Sequence, residues 1–376
     1  MFPTRLIWRL AALAVALVPA SATAQLRLVP FDVRVPKAPI PASVGDHSIL
    51  VYELRITNVG RRDLALRRLE VASAGTVLGA FEGDSLKGMV LKMGDPTADG
   101  RTVAAGRQTL VYLALAVPNG AVPARLDHRF LVSSPDSLAA APTDTLAGYS
   151  VSVDRRPAIV IQSPLRGGPW LTGNGPGNAS GHRRTAIPIS GQARIAQRYA
   201  VDWVLFGSDG NLFHGDSTKN ENWYGYRHPV RAVAPGTVVA VKDGIPENVA
   251  LAPDRAVPIT LETVGGNHVI LDIGGGNYAF YAHLIPGSLK VKVGDKVTPG
   301  QVVGLLGNSG NSDAPHLHFH VGDRPAPLAT EGVPYLFDQY SMLGSTPGFP
   351  EPWKGGTPSP RRRAIPLENQ VIQFQP

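Results

Sequence analysis

Short runs of apolar and β-branched residues, each cut off by turn residues, dominate this chain, while apolar positions at helical spacing are scarce. That pattern predicts strands rather than helices. In the first half the runs are Ser48–Thr57, Leu64–Val71 and Thr109–Val117, punctuated by Asn58-Val59-Gly60 and Pro118-Asn119-Gly120. Strands at this spacing across residues 25–157 predict an immunoglobulin-like β-sandwich. No catalytic constellation falls within it, so it reads as an accessory or wall-binding module. In the second half Gly266–Ile273 alternates well, and Tyr278–Leu284 follows the turn Gly274-Gly275-Gly276 as the return strand of a hairpin. Residues 291–307 read as strand, turn, strand, turn, strand. The whole chain is expected to be all-β. Residues 158–180, rich in Gly and Pro, read as a linker, and 181–340 as a second domain. Residues 341–376, with Pro358-Ser359-Pro360-Arg361-Arg362-Arg363, read as an extended or mobile tail.

One alternating run carries chemistry. In a strand, His316, His318 and His320 share one face while Leu317, Phe319 and Val321 enter the core. Neutral imidazole is a zinc ligand and a general acid or base. An H-x-H pattern alone is equally consistent with a half-exposed face. The turn-rich stretch before it, residues 307–315, argues for the rim of a site.

Composition narrows the options. The chain has ten histidines and no cysteine, which excludes disulfides, thiolate zinc sites and cysteine nucleophiles. A metal must then be held by His, Asp or Glu, as in catalytic sites that keep an open position. Arg5 and Arg9 precede the apolar run Leu10–Val18, and Ala22-Thr23-Ala24 supplies small residues for cleavage. Residues 1–24 therefore read as a secretory signal peptide, placing the mature chain in the periplasm or outside the cell. No later segment is apolar enough to span a bilayer. A net charge of +7 favours polyanions, and in that compartment cell-wall polymers or membrane surfaces rather than nucleic acid.

Taken in order, Tyr281-Ala282-His283-Leu284, Val293-Gly294-Asp295-Lys296-Val297, Gly307-Asn308-Ser309-Gly310 and Pro315-His316-Leu317-His318-Phe319 resemble the lysostaphin-type (LytM) zinc endopeptidases of bacterial cell walls. The likeness runs over about residues 199–321. It implies a β-sheet groove called the duplicated hybrid motif, one zinc ion, and hydrolysis of peptide bonds in peptidoglycan. By that resemblance His318 and Asp202 are zinc ligands. His283 and His316 are the non-ligand histidines that position or deprotonate water and stabilise the oxyanion.

The chain departs from the family at the first ligand. The family pattern is H-x-x-x-D, but Arg198 stands four residues before Asp202. A guanidinium stays protonated and offers no lone pair to a metal. Either His182, upstream, completes a His182, Asp202 and His318 set, or the domain holds no metal and binds cell wall or activates a separate amidase. Pairing of Arg198 with Asp202 would argue for the second outcome. His320 is a candidate to orient a ligand. His214 and His228 flank the aromatic stretch 220–226, which lines a groove or simply packs.

Overall fold

The computed structural model describes residues 29–95, 97–135 and 144–376. The signal peptide expected at 1–24 lies outside the described residues. The architecture is all-β: a five-residue turn of helix, Gly83–Lys87, is the only α-helix among the described residues. None of the helices is long and apolar enough to cross a membrane.

The N-terminal module consists of two five-stranded antiparallel sheets that share one core. Its central pair, His47–Asn58 and Gln108–Pro118, is in continuous register from His47 opposite Pro118 to Thr57 opposite Gln108. A strand buried on both faces loses the simple apolar–polar alternation, and His47–Asn58 shows why. Leu50, Tyr52, Leu54 and Ile56 point into the core between the two sheets. Ile49 and Val51, on the opposite face, join the core of the second domain.

That second domain is built on an 11-stranded sheet. Its middle runs from Trp170–Gly173 through Val201–Leu205, Leu317–Gly322 and Tyr278–Leu284 to Asn267–Asp272, all antiparallel. The period-2 rule holds in Leu317–Gly322: Leu317, Phe319 and Val321 enter the main core with Val201, Trp203, Val269 and Tyr281. The opposite face carries the histidines.

Two segments differ from expectation. Residues 158–180 are more than a linker: Ile159–Ile161 pairs in parallel with Tyr335–Ser345, and Trp170–Gly173 is an interior strand of the large sheet. Residues 341–376 are not a mobile tail. Ser359–Ala364 pairs with Tyr335–Ser345, and Gln370–Gln373 lies between that strand and Trp170–Gly173. The physical reason is the apolar set interspersed among the Pro and Arg residues. Ala364, Ile365, Ile372 and Phe374 are all buried in the main core.

Candidate active site

The register of two strands makes the centre of the site. Asp202 lies directly opposite His318 across the ladder, and His318 Nδ1 is 2.9 Å from Asp202 Oδ1. His182 arrives on a loop after Trp170–Gly173, placing Nε2 3.2 Å from Asp202 Oδ2. Its Nδ1 is 3.1 Å from the Asn174 carbonyl. A carbonyl only accepts, so Nδ1 carries a proton there, and Nε2 is the nitrogen turned toward the carboxylate. Asn174 also donates its side-chain amide to Asp202 Oδ2 at 3.0 Å.

His316 completes a ring of three imidazoles around Asp202, with Nε2 3.3 Å from Oδ1 and Nδ1 donating to the Ala314 carbonyl at 2.8 Å. His283 stands against His316, their ring centroids 4.7 Å apart, and donates from Nδ1 to the Ser309 carbonyl at 2.7 Å. His283 has a φ of 64° and sits where the ladder register with Asn267–Asp272 slips. Such a bulge re-aims a side chain. The Ser309 carbonyl reaches it because Gly310, φ 77°, and Gly266 let the two backbones touch; a Cβ on either would strike the other's loop.

Burial and neighbours set the charge of this cluster. Burial opposes ionisation of Asp202, but His182 and His316 outweigh it and hold the carboxyl well below its usual range. Burial, only partly offset by the bond to Asp202, pulls His318 down to about 4. His283 is lowered well below its ordinary value by burial and by His316 and His318. His316 moves the other way: burial lowers it, and Asp202 more than compensates.

The residues fit a zinc ion. Ligand atoms of His182, Asp202 and His318 lie within 4.8 Å of one another. Tetrahedral zinc with bonds of about 2.0–2.2 Å spaces its ligand atoms roughly 3.3–3.6 Å apart, so small adjustments seat it. Two imidazole nitrogens and one carboxylate oxygen are a donor set seen in catalytic zinc sites, leaving a fourth position for water or substrate. With Nδ1 of His182 held on the Asn174 carbonyl, Nε2 is the nitrogen left to a metal.

The five residues expected to hold metal or move protons, His182, Asp202, His283, His316 and His318, line one cleft of about 400 Å³. Its walls are largely apolar, with Leu171, Val204, Val264, Phe280, Leu328 and Phe349 among them. Arg198 is elsewhere. It is buried against Glu53 and Glu331, with Nη2 2.9 Å and 2.8 Å from their carboxylates, and does not pair with Asp202. His320 is buried and its Nδ1 lies 2.9 Å from His318 Nε2, placing it behind that candidate ligand. Of the aromatic stretch 220–226, Trp223 lines the cleft, while Tyr224 and Tyr226 bond to Asp209 and Glu247. His214 packs on Tyr224 and His228 on Trp170. Asn174 and Phe349 were not foreseen. The tight Gly173-Asn174-Gly175 turn, with Asn174 at φ 47°, was the available signal for the first; the second comes from a segment read as tail.

The profile of Peptidase family M23 matches residues 224–329, and the chain contains a domain of that family. Among the relatives it resembles are the peptidoglycan DD-endopeptidase ShyA of Vibrio cholerae, 38% identical over 105 residues, and lysostaphin of Staphylococcus simulans, 39% identical over 86. A third is the glycyl-glycine endopeptidase ALE-1 of Staphylococcus capitis, 45% identical over 56 residues. The matches cover 27%, 22% and 15% of this chain, and 24%, 17% and 15% of the relatives' own length.

Proposed function

We propose that this chain is an exported zinc metalloendopeptidase that hydrolyses peptide bonds of bacterial peptidoglycan. In this reading His182, Asp202 and His318 hold the metal, while His283 and His316 handle protons. The observation that carries it is the convergence of the three ligand atoms within 4.8 Å, beside two further imidazoles in one cleft. When bound there, zinc supplies a Lewis acid that acidifies water and polarises a carbonyl.

The chain's own residues supply the rest. His283 and His316 both have Nδ1 fixed on a carbonyl, so Nε2 is the atom left to each for exchanging protons. Those two atoms take a proton from water, return it to the departing amine, or donate to the developing oxyanion. The Asn174 amide keeps Asp202 oriented, and its carbonyl keeps His182 in one tautomer. The apolar walls suit a peptide with small uncharged side chains and exclude water from the bond being cut.

Peptidoglycan as substrate is supported by the names of the relatives, two of which act as endopeptidases on DD-linked or glycyl-glycine bonds. Export is supported by the signal-like residues 1–24, and the location is extracytoplasmic. The N-terminal module is read as an immunoglobulin-like sandwich. The metal-free alternative was motivated by Arg198, whose place against Glu53 and Glu331 accounts for it without involving Asp202.

Metal analysis tests the proposal. Purified protein should carry near-stoichiometric zinc, lose activity on peptidoglycan with a strong chelator, and regain it with added zinc. New free amines in the digest, located by mass spectrometry, identify the bond cut. Cleavage that persists after the chelator has removed all metal would sink the proposal.

A further inference from the structure

We infer that the N-terminal module is a positioning element of the metal site, acting through Arg183, the immediate neighbour of His182. The inference rests on the zinc reading above and extends it to a residue outside the cleft. Asp202 and His318 ride on adjacent strands of one sheet. His182 has no strand beneath it; it sits on the loop between Trp170–Gly173 and Ile187–Ile189. What fixes that loop lies largely in the other module.

Arg183 is 0% exposed. Its Nε donates to Glu53 Oε1 at 2.9 Å, and its Nη2 donates to the carbonyls of Tyr52 and Leu113, each at 2.8 Å. Those residues belong to His47–Asn58 and Gln108–Pro118, the central strands of the N-terminal module. Its Nη1 reaches back to Asn178 Oδ1 in its own loop at 2.6 Å. Arg184 adds a bond from Nη2 to the Gly88 carbonyl, and the two guanidiniums lie 5.5 and 5.2 Å from the centre of the Tyr112 ring. A guanidinium is a rigid planar fork, so four such bonds fix its orientation as well as its place. Because consecutive Cα atoms are about 3.8 Å apart, pinning Arg183 leaves His182 little room to leave Asp202.

Glu53 ties the same strand to the ligand-bearing segment on the other side, through Arg198 four residues before Asp202. One carboxylate of the N-terminal module thus holds the approaches to two of the three ligands. A metal ligand supported in this way loses affinity when its support is cut, typically 10- to 100-fold.

The test measures zinc affinity by competition with a chelator, on the full chain. Arg183→Met should weaken binding about 10- to 100-fold. Arg184→Ala, milder and safe for folding, should weaken it several-fold. Arg55→Met is the control: it removes a bond of 2.6 Å to the Ala193 carbonyl across the same interface, away from His182, and should leave affinity unchanged. If Arg183 acts through His182, then Arg183→Met should cost nothing further in a His182→Ala background.

Wild-type affinity in folded Arg183→Met overturns the inference, as does a full additional loss on top of His182→Ala. Should Arg183→Met fail to fold, Arg184→Ala and its cycle with His182→Ala decide the matter by the same outcomes. A wild-type protein that holds no zinc overturns the proposed function together with this inference. A wild type that holds it, with both variants unchanged, overturns this inference alone.

Discussion

Two carboxylates, the part-buried Asp202 and the buried Glu53, sit on neighbouring parts of the molecule and are balanced in opposite ways. Glu53 faces Arg183 and Arg198, guanidiniums that carry their charge at any accessible pH, and all three side chains are within 2% of complete burial. Burial opposes its ionisation, but the two arginines outweigh it and hold the carboxyl below its ordinary value. That pairing is closed. Asp202 instead faces three imidazoles, one of them with a pKa near 4 and therefore neutral at pH 7, and its side chain stays 13% exposed to the cleft. A carboxylate that faces imidazoles and an open cleft is a site that a cation completes, whereas one enclosed by fixed cations is already complete. The identity of the counter-groups separates the candidate metal ligand from the structural carboxylate.

Breaking the open pairing should have the largest effect. Asp202→Asn or His318→Ala should lower kcat/KM roughly 10³-fold or more and abolish stoichiometric zinc, with the far-UV circular dichroism unchanged. Retained zinc in either variant would contradict the assigned ligand set. His283→Ala should cost about 10²- to 10⁴-fold in kcat while zinc remains bound, the mark of a group that moves protons. Loss of zinc in step with activity would instead make His283 part of the metal's support.

The closed pairing should answer in stability. Glu53→Gln leaves two buried guanidiniums short of a partner and should destabilise the fold by about 3–5 kcal/mol, read by urea unfolding at pH 7. Because Glu53 is depressed below 4.5 in the folded state, its contribution is fully present above that pH and is lost as the pH falls through its folded value. The gap between wild type and Glu53→Gln should therefore narrow below about pH 4.5; a gap that widens there would refute the assignment. The smallest effect is expected at the cleft wall: Phe349→Ala should raise KM a few-fold with kcat unchanged, since it removes binding surface and no chemistry.

The difference between the two carboxylates also explains what could be read in advance. His316, His318 and His320 were legible because a strand's two-residue period is local information. The strand runs 48–57, 64–71 and 109–117 were legible for the same reason. Glu53 and Arg55 stood in one of those runs, yet nothing near them names their partners. Arg183 and Arg198 are 130 and 145 residues away. His182 sits on a loop, whose position is set by distant anchors rather than by periodicity, and only family resemblance pointed to it. The strand Ser359–Ala364 was hidden by composition. It pairs with one neighbour among the described residues, and a strand with a free edge tolerates Pro360 and exposes Arg362 and Arg363. Gln370–Gln373 is too short for a pattern and exists because both flanking strands receive it.

That short strand has a bearing on how the protein comes into being. Thr172 and Gln370, 198 residues apart, exchange hydrogen bonds beside the strand that leads to Asn174 and His182. Contacts of such long sequence separation form late, because the entropy of closing the loop must be met before the contact returns anything. A growing chain that has not yet reached residue 373 has an unsealed seam next to the turn that carries Asn174. Closure of the cleft wall that carries Asn174 and His182 is thereby deferred until synthesis has passed that point.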